Sequence, residues 1–194
     1  MRFTVIREKL RHYKVGIAGA GGLGSNCAQA LVRSGVGTLV IADFDTVSEL
    51  NLNRQFFFRS QVGEKKVEAL RENLRRIDPS VNIEVHDVFL DHENTPRVFA
   101  GCDIIVEAFD NSEMKQMIIE TVAMALPGIP LVVGSGLAGW GGNEKIKSRK
   151  IDNNLYVIGD ESDEVSEELP PLAPRVGIVA NMQANIVLEI LLNK

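Results

Sequence analysis

Cysteine is nearly absent from this sequence: Cys27 and Cys102 are the only two among 194 residues. Two thiols build neither a disulfide framework nor a four-thiolate zinc site, so no zinc is expected. Histidine is almost as scarce, and His12, His86 and His92 share no spacing that would gather them around a metal. No apolar run approaches the roughly 18 residues of a membrane span. Met1-Arg2-Phe3-Thr4 lacks the apolar stretch of a signal peptide. These absences point to the cytoplasm and to no membrane partner. Nor does one sign of charge dominate the body. The net charge is −5, yet residues 160–168 hold six of the 26 acids and no base, leaving 21 basic against 20 acidic residues elsewhere. Such a body offers no basic face for nucleic acid.

What remains is ordinary globular composition, 45% hydrophobic and 24% charged, with length for a single domain over residues 1–194. Short apolar runs alternate with segments of helical spacing. Residues 14–18, 38–42, 81–86, 103–107 and 130–133 read as strands. Residues 23–34, 63–77, 93–99, 112–125 and 176–192 read as helices. Alternation of this kind predicts an α/β, Rossmann-like, mostly parallel sheet with helices on both faces. Residues 143–158 break the pattern and read as an antiparallel hairpin added at the sheet edge.

Between the first strand and the first helix lies Gly19-Ala20-Gly21-Gly22-Leu23-Gly24-Ser25. Gly19, Gly21 and Gly24 match the spacing in which one glycine turns tightly, the next admits phosphate, and the third packs helix on strand. The helix N-terminus then offers free amides to an anion. Asp43, 19 residues after Gly24, ends the second strand where a carboxylate can accept from ribose hydroxyls. This fingerprint leaves NAD, FAD and ATP open.

Three further features favour phosphate chemistry over hydride transfer. Arg54, in Asn51-Leu52-Asn53-Arg54-Gln55, follows the ribose carboxylate by 11 residues. Its planar guanidinium suits phosphate oxygens. Lys66, in Gly63-Glu64-Lys65-Lys66, opens the next helix beside the same region. Asp110 follows the fourth strand at the carboxyl edge of the sheet. A lone carboxylate there suits Mg2+, which prefers one or two carboxylates plus phosphate oxygens. Singly, each has an ordinary reading: a surface ion pair for Arg54, a solvated helix residue for Lys66, an N-cap for Asp110.

At these residues the sequence resembles the ThiF/MoeB family of sulfur-carrier adenylyltransferases, relatives of the ubiquitin-activating enzymes. The resemblance rests on 19–25, Asp43-Phe44-Asp45, 51–55, Gly63 with Lys66, Glu107-Ala108-Phe109-Asp110-Asn111 and Ala173-Pro174-Arg175-Val176-Gly177. It runs from about Val15 to the last residue and is nearest the short ThiF-like branch of thiamine biosynthesis. It implies ATP-dependent adenylation of the C-terminal glycine of a small ubiquitin-like carrier ending in Gly-Gly, ThiS-like, by a homodimer. By the same resemblance Gly19, Gly21, Gly22 and Gly24 floor the nucleotide site, Asp43 holds ribose, and Asp45 and Asn53 belong to it. Arg54 and Lys66 neutralise phosphates, and Asp110 binds Mg2+. Arg7 or Arg11 is a candidate for an arginine donated to a partner subunit. Larger members carry paired CxxC zinc ligands and a cysteine on a loop over the site; here no cysteine follows Cys102. The chemistry inferred therefore stops at the acyl-adenylate. Two other readings stand beside it: an NAD-dependent oxidoreductase, and a nucleotide-binding scaffold for a ubiquitin-like partner. Phe56-Phe57-Phe58 reads as core plus subunit contact. Trp140, among glycines, falls near the expected carrier-tail channel, and the acidic run reads as a solvated loop.

Overall fold

The computed structural model describes residues 1–136, 138–160, 166 and 168–194. Seven strands form one sheet in the order β3-β2-β1-β4-β5-β7-β6. They are β1 (Lys14–Ala18), β2 (Thr38–Asp43), β3 (Asn82–Asp87), β4 (Ile104–Glu107), β5 (Leu131–Ser135), β6 (Lys147–Lys150) and β7 (Leu155–Gly159). Six α-helices accompany them among the described residues: α1 (Phe3–Leu10), α2 (Gly22–Ser34), α3 (Lys66–Ile77), α4 (Thr95–Val98), α5 (Ser112–Ala125) and α6 (Ala173–Asn193).

The central strands are apolar throughout because both faces are covered. Their side chains still alternate. Leu39 and Ile41 of β2 join Ile104 and Val106 of β4 on the face covered by α1, α2, α3 and α6. Val40, Ala42 and Ile105 point to the other face, beneath α4 and α5. Strands β1 to β5 and β7 pair in parallel; only β6 with β7 is antiparallel. That pair is the expected edge hairpin. All four residues of β6 are exposed, and three are basic, which discourages edge-to-edge pairing with other chains.

The chain steps outward from β1 to β2 to β3, then crosses back to place β4 on the other side of β1. This reversal opens a crevice at the carboxyl ends of β1 and β4, where such sheets bind ligands. The glycine loop leaves β1 there, and the segment carrying Asp110 leaves β4 there.

Several boundaries differ from the sequence expectation. The third helix begins at Lys66 rather than 63. The amides and carbonyls just before it are bonded to the segment after β2 instead: Gly63 N donates to Val47 O at 2.9 Å, Val47 N to Glu64 O at 2.8 Å, and Lys66 N to Asp45 O at 3.0 Å. The helix over 93–99 shrinks to the single turn of α4. Helix α1 had no sequence signal strong enough to read; eight residues are marginal alone, and burial of Leu10 with packing by Ile6 holds it. Helix α6 is longer than expected. By length and mean hydropathy alone it is long and apolar enough for a membrane span, a run the sequence reading did not pick out. In the fold Val176, Val179, Ala180, Val187 and Leu191 are buried in the sheet-facing core.

Candidate active site

The crevice is a cavity of about 660 Å³. Gly19, Gly21, Gly22, Asp43, Asp45, Arg54, Lys66 and Asp110 all line it. Eight of the ten site residues read from sequence thus converge, all but Gly24 and Asn53, from positions up to 91 residues apart in the chain.

Each is placed by identifiable bonds. The Asp43 carboxylate stitches β2 to the glycine loop, accepting from Ala20 N at 2.6 Å and Asp45 N at 2.8 Å. Each oxygen keeps a further lone pair for a hydroxyl. Helix α2 starts at Gly22 with no side-chain cap, so its first-turn amides are available to an anion. Gly24 lies outside the cavity lining. A Cβ there would sit 1.8 Å from Gly19 O, so it serves the close helix–strand packing rather than direct contact.

The segment bearing Arg54 is pinned to α2. Asn26 Nδ2 donates to Arg54 O at 2.8 Å and to Gly22 O at 2.7 Å. Ser25 Oγ donates to Gly21 O at 2.6 Å and accepts from Phe56 N at 3.0 Å. The Arg54 stem then lies over Gly22, with Cγ 3.5 Å from where a Cβ would stand. Asn53 does not line the cavity. Its side chain accepts from Arg54 Nη1 at 2.8 Å and reaches Pro171 O at 3.4 Å, so it orients the arginine. Lys66 is buried, with its Nζ 2.6 Å from Asp45 Oδ2.

Asp110 is exposed at the cavity rim. The N-cap of α5 is Asn111, whose Oδ1 accepts from Glu113 N at 2.8 Å and Met114 N at 3.1 Å. Asp110 is therefore spared that duty, and no described residue hydrogen-bonds its carboxylate. Behind it Glu107 is fully buried and ion-paired with Lys115 Nζ at 2.8 Å. Burial pushes the Glu107 carboxyl up, against the opposing pull of the ammonium. Among the described residues no three His, Cys, Asp or Glu side chains cluster to hold a metal. The lone Asp110 carboxylate at the rim would fit a divalent ion whose other ligands were phosphate oxygens.

Sequence reasoning missed the apolar end of the cavity. Phe44 and Phe89 meet edge-on with ring centroids 5.1 Å apart, flanked by Val88 and Leu90. Nothing in the sequence links Phe89 to the glycine loop; only the β2–β3 pairing does. It also missed Asn26, whose signal would have been a helix-interior asparagine bonding back one turn. Gln55 lines the cavity with a buried Oε1 that has no partner among the described residues.

Other singled-out residues fall elsewhere. Arg7 pairs with Asp78 and packs against Gly35, and Arg11 O faces Gly37. Both lie at the amino ends of the strands, opposite the glycine loop. Phe57 is core, Phe58 about half exposed, and Phe56 stacks edge-on against Phe58 at 5.9 Å. Trp140 is exposed on a turn bonded to the chain ahead of α6, Gly139 N donating to Pro170 O at 3.0 Å. Arg175, buried, pairs with Asp160 and donates to Gly141 O, anchoring that turn. Of the acidic run, residues 161–165 and 167 lie outside the described residues.

An aromatic pair, the acid ending β2, two cationic side chains and an uncapped helix N-terminus thus share one cavity of an α/β protein, a set of groups that suits a nucleotide. The comparisons agree and go further. The ThiF family model matches residues 4–194, and the chain belongs to that family. It is 35% identical over 191 residues to the adenylyltransferase and sulfurtransferase MOCS3 of Caenorhabditis briggsae, covering 95% of this chain and 47% of that one. It is 29% identical to the molybdopterin-synthase adenylyltransferase of Salmonella typhimurium, over 95% of this chain and 75% of that one. The chain thus spans about half the length of the MOCS3 relative. Among solved structures, the E. coli tRNA N6-threonylcarbamoyladenosine dehydratase TcdA in complex with AMP superposes with a TM-score of 0.87 at 21% identity. The superposition covers 97% of this chain and 90% of that one, a likeness of fold.

Proposed function

We propose that the chain adenylates the C-terminal glycine of a small ubiquitin-like sulfur-carrier protein, using ATP. The observation that carries this reading is the convergence of Arg54, Lys66 and Asp110 on a cavity floored by Gly19, Gly21 and Gly22. The base lies against Phe44 and Phe89, the ribose against Asp43, and the phosphates between the α2 N-terminus and the two cations. The carrier's terminal carboxylate attacks the α-phosphorus in line, and pyrophosphate leaves. Such a step needs positioning and charge neutralisation more than proton transfer. Arg54 is pre-oriented by Asn53 and Asn26; Lys66 is held by Asp45. Asp110 would hold a Mg2+ ion, which would supply further neutralisation of the phosphate oxygens.

The relatives named adenylyltransferases support the reading, as does a fold neighbour solved with ATP. They weigh against the oxidoreductase alternative. The finer assignment is a ThiS-like carrier of thiamine biosynthesis and a homodimeric enzyme. A relative named for molybdopterin synthase makes a molybdopterin carrier the direct competitor. ATP–pyrophosphate exchange with each carrier in parallel tests both levels. Exchange with either supports adenylation, and the preferred carrier names the pathway. Arg54→Ala is expected to lower the rate about a thousandfold, as for other phosphoryl-transfer arginines; a near-normal rate would remove Arg54 from its role.

A further inference from the structure

Glu107 and Lys115 form an ion pair that the proposed mechanism does not use. Glu107 ends β4 and is wholly inaccessible to solvent; Lys115 stands on the first turn of α5. Glu107 Oε1 accepts from Phe109 N at 2.6 Å and from Lys115 Nζ at 2.8 Å. Lys115 Nζ also reaches Glu107 Oε2 at 3.0 Å and donates to Gly134 O, at the end of β5, at 2.8 Å. Gln183 of α6 donates to Glu107 O at 2.9 Å. The carboxylate thus bends its own chain back onto the amide one residue before Asp110. The lysine ties that bend to β5, and α6 clamps it from the side.

An ion pair this buried is poor value as a stabiliser, since apolar replacements are often as stable. Its geometry serves the turn from Ala108 to Asn111. Ala108 N donates to Ala18 O at 2.9 Å, and Ala108 O lies 3.0 Å from the Cβ position of Gly19. The turn is therefore clamped against the glycine loop, and Asp110 projects from it with no side-chain hydrogen bond to any described residue.

We infer that Glu107 and Lys115 are positioning residues that hold the Asp110 carboxylate at the point where a divalent cation on the nucleotide phosphates is bound. The inference rests on the proposed placement of nucleotide and cation. It predicts a specific split: the pair governs affinity for the metal–nucleotide complex, not for the nucleotide alone.

The test uses the full chain and Mn2+ with ATP, binding being read by electron paramagnetic resonance and, without metal, by calorimetry. K115M keeps the stem and removes the charge. It is expected to weaken Mn2+–ATP binding by about 10–100-fold, the usual effect of losing a group that orients a metal ligand. Metal-free ATP affinity should stay near wild type, and K115R should restore metal binding. The double variant E107Q/K115M removes both charges together and preserves an acceptor for Phe109 N; it guards against misfolding of the single variant and should show the same split. Wild-type Mn2+–ATP affinity in either folded variant overturns the inference. So does an equal loss with and without metal, which would mark a general loosening. Wild-type chain that binds Mn2+–ATP but catalyses no exchange with any carrier overturns the adenylation reading and leaves the positioning pair standing.

Discussion

Replacing Lys66 by methionine removes an ammonium and keeps most of a buried stem, which separates the catalytic from the structural part of this residue. The Lys66 side chain is 7% exposed and its partner Asp45 49% exposed. With the cation gone, water solvates the half-exposed Asp45, so no buried charge is stranded. The stability cost is then that of a surface ion pair, about 0.2–1 kcal/mol. In a chain of this size that lowers Tm by at most about 2–4 °C. The same ammonium faces the phosphate end of the cavity. There, losing one preorganised donor to developing charge costs about 2.7–4 kcal/mol, a hundred- to thousandfold in rate. Carrier-dependent pyrophosphate exchange and a circular-dichroism melt measure the two quantities on one preparation. A large drop in Tm with activity falling only as the folded fraction falls would refute the reasoning. So would an unchanged rate in a normally folded variant.

Gly24→Ala places a Cβ 1.8 Å from Gly19 O, so the glycine loop must move by over an ångström. Overpacking of this kind costs about 1–3 kcal/mol; a lower Tm together with weaker ATP binding by calorimetry is expected. Cys27 and Cys102 are buried, which pushes both thiols up to about 12. Iodoacetamide at mildly alkaline pH should label neither in the folded protein and both in concentrated guanidinium. Asp78 is held below the usual carboxylate range first by the Ser80 hydroxyl and amide; burial opposes them, and Arg7 adds a smaller lowering. Because its folded pKa is lowered, its contribution is present above the unfolded value and lost as pH falls through the folded one. Ser80→Ala should therefore move the acid-unfolding midpoint to higher pH.

The sequence by itself determined the architecture and named most of the polar residues that share the cavity. Continuous apolar runs of strand length, separated by segments of helical period, have few packing solutions besides a covered parallel sheet. The hairpin at 143–158 was legible because it broke that alternation. A glycine cluster between strand and helix, an acid ending the next strand and Asp110 after the fourth each carried a local signal, and the fold brought them to one cavity. The tertiary structure alone decided what depends on neighbours distant in the chain. Lys66 opens α3 because residues 63–65 bond to the segment after β2, a competition invisible to helical period. Phe89 joins Phe44 only through the β2–β3 pairing. Asn111, not Asp110, caps α5, and which of two adjacent polar side chains turns inward is settled by backbone geometry at the helix start. Arg7 and Arg11 carry the same charge as Arg54, yet lie at the opposite end of the strands. Local sequence sets what each segment prefers; the order of strands in the sheet sets which segments share a site.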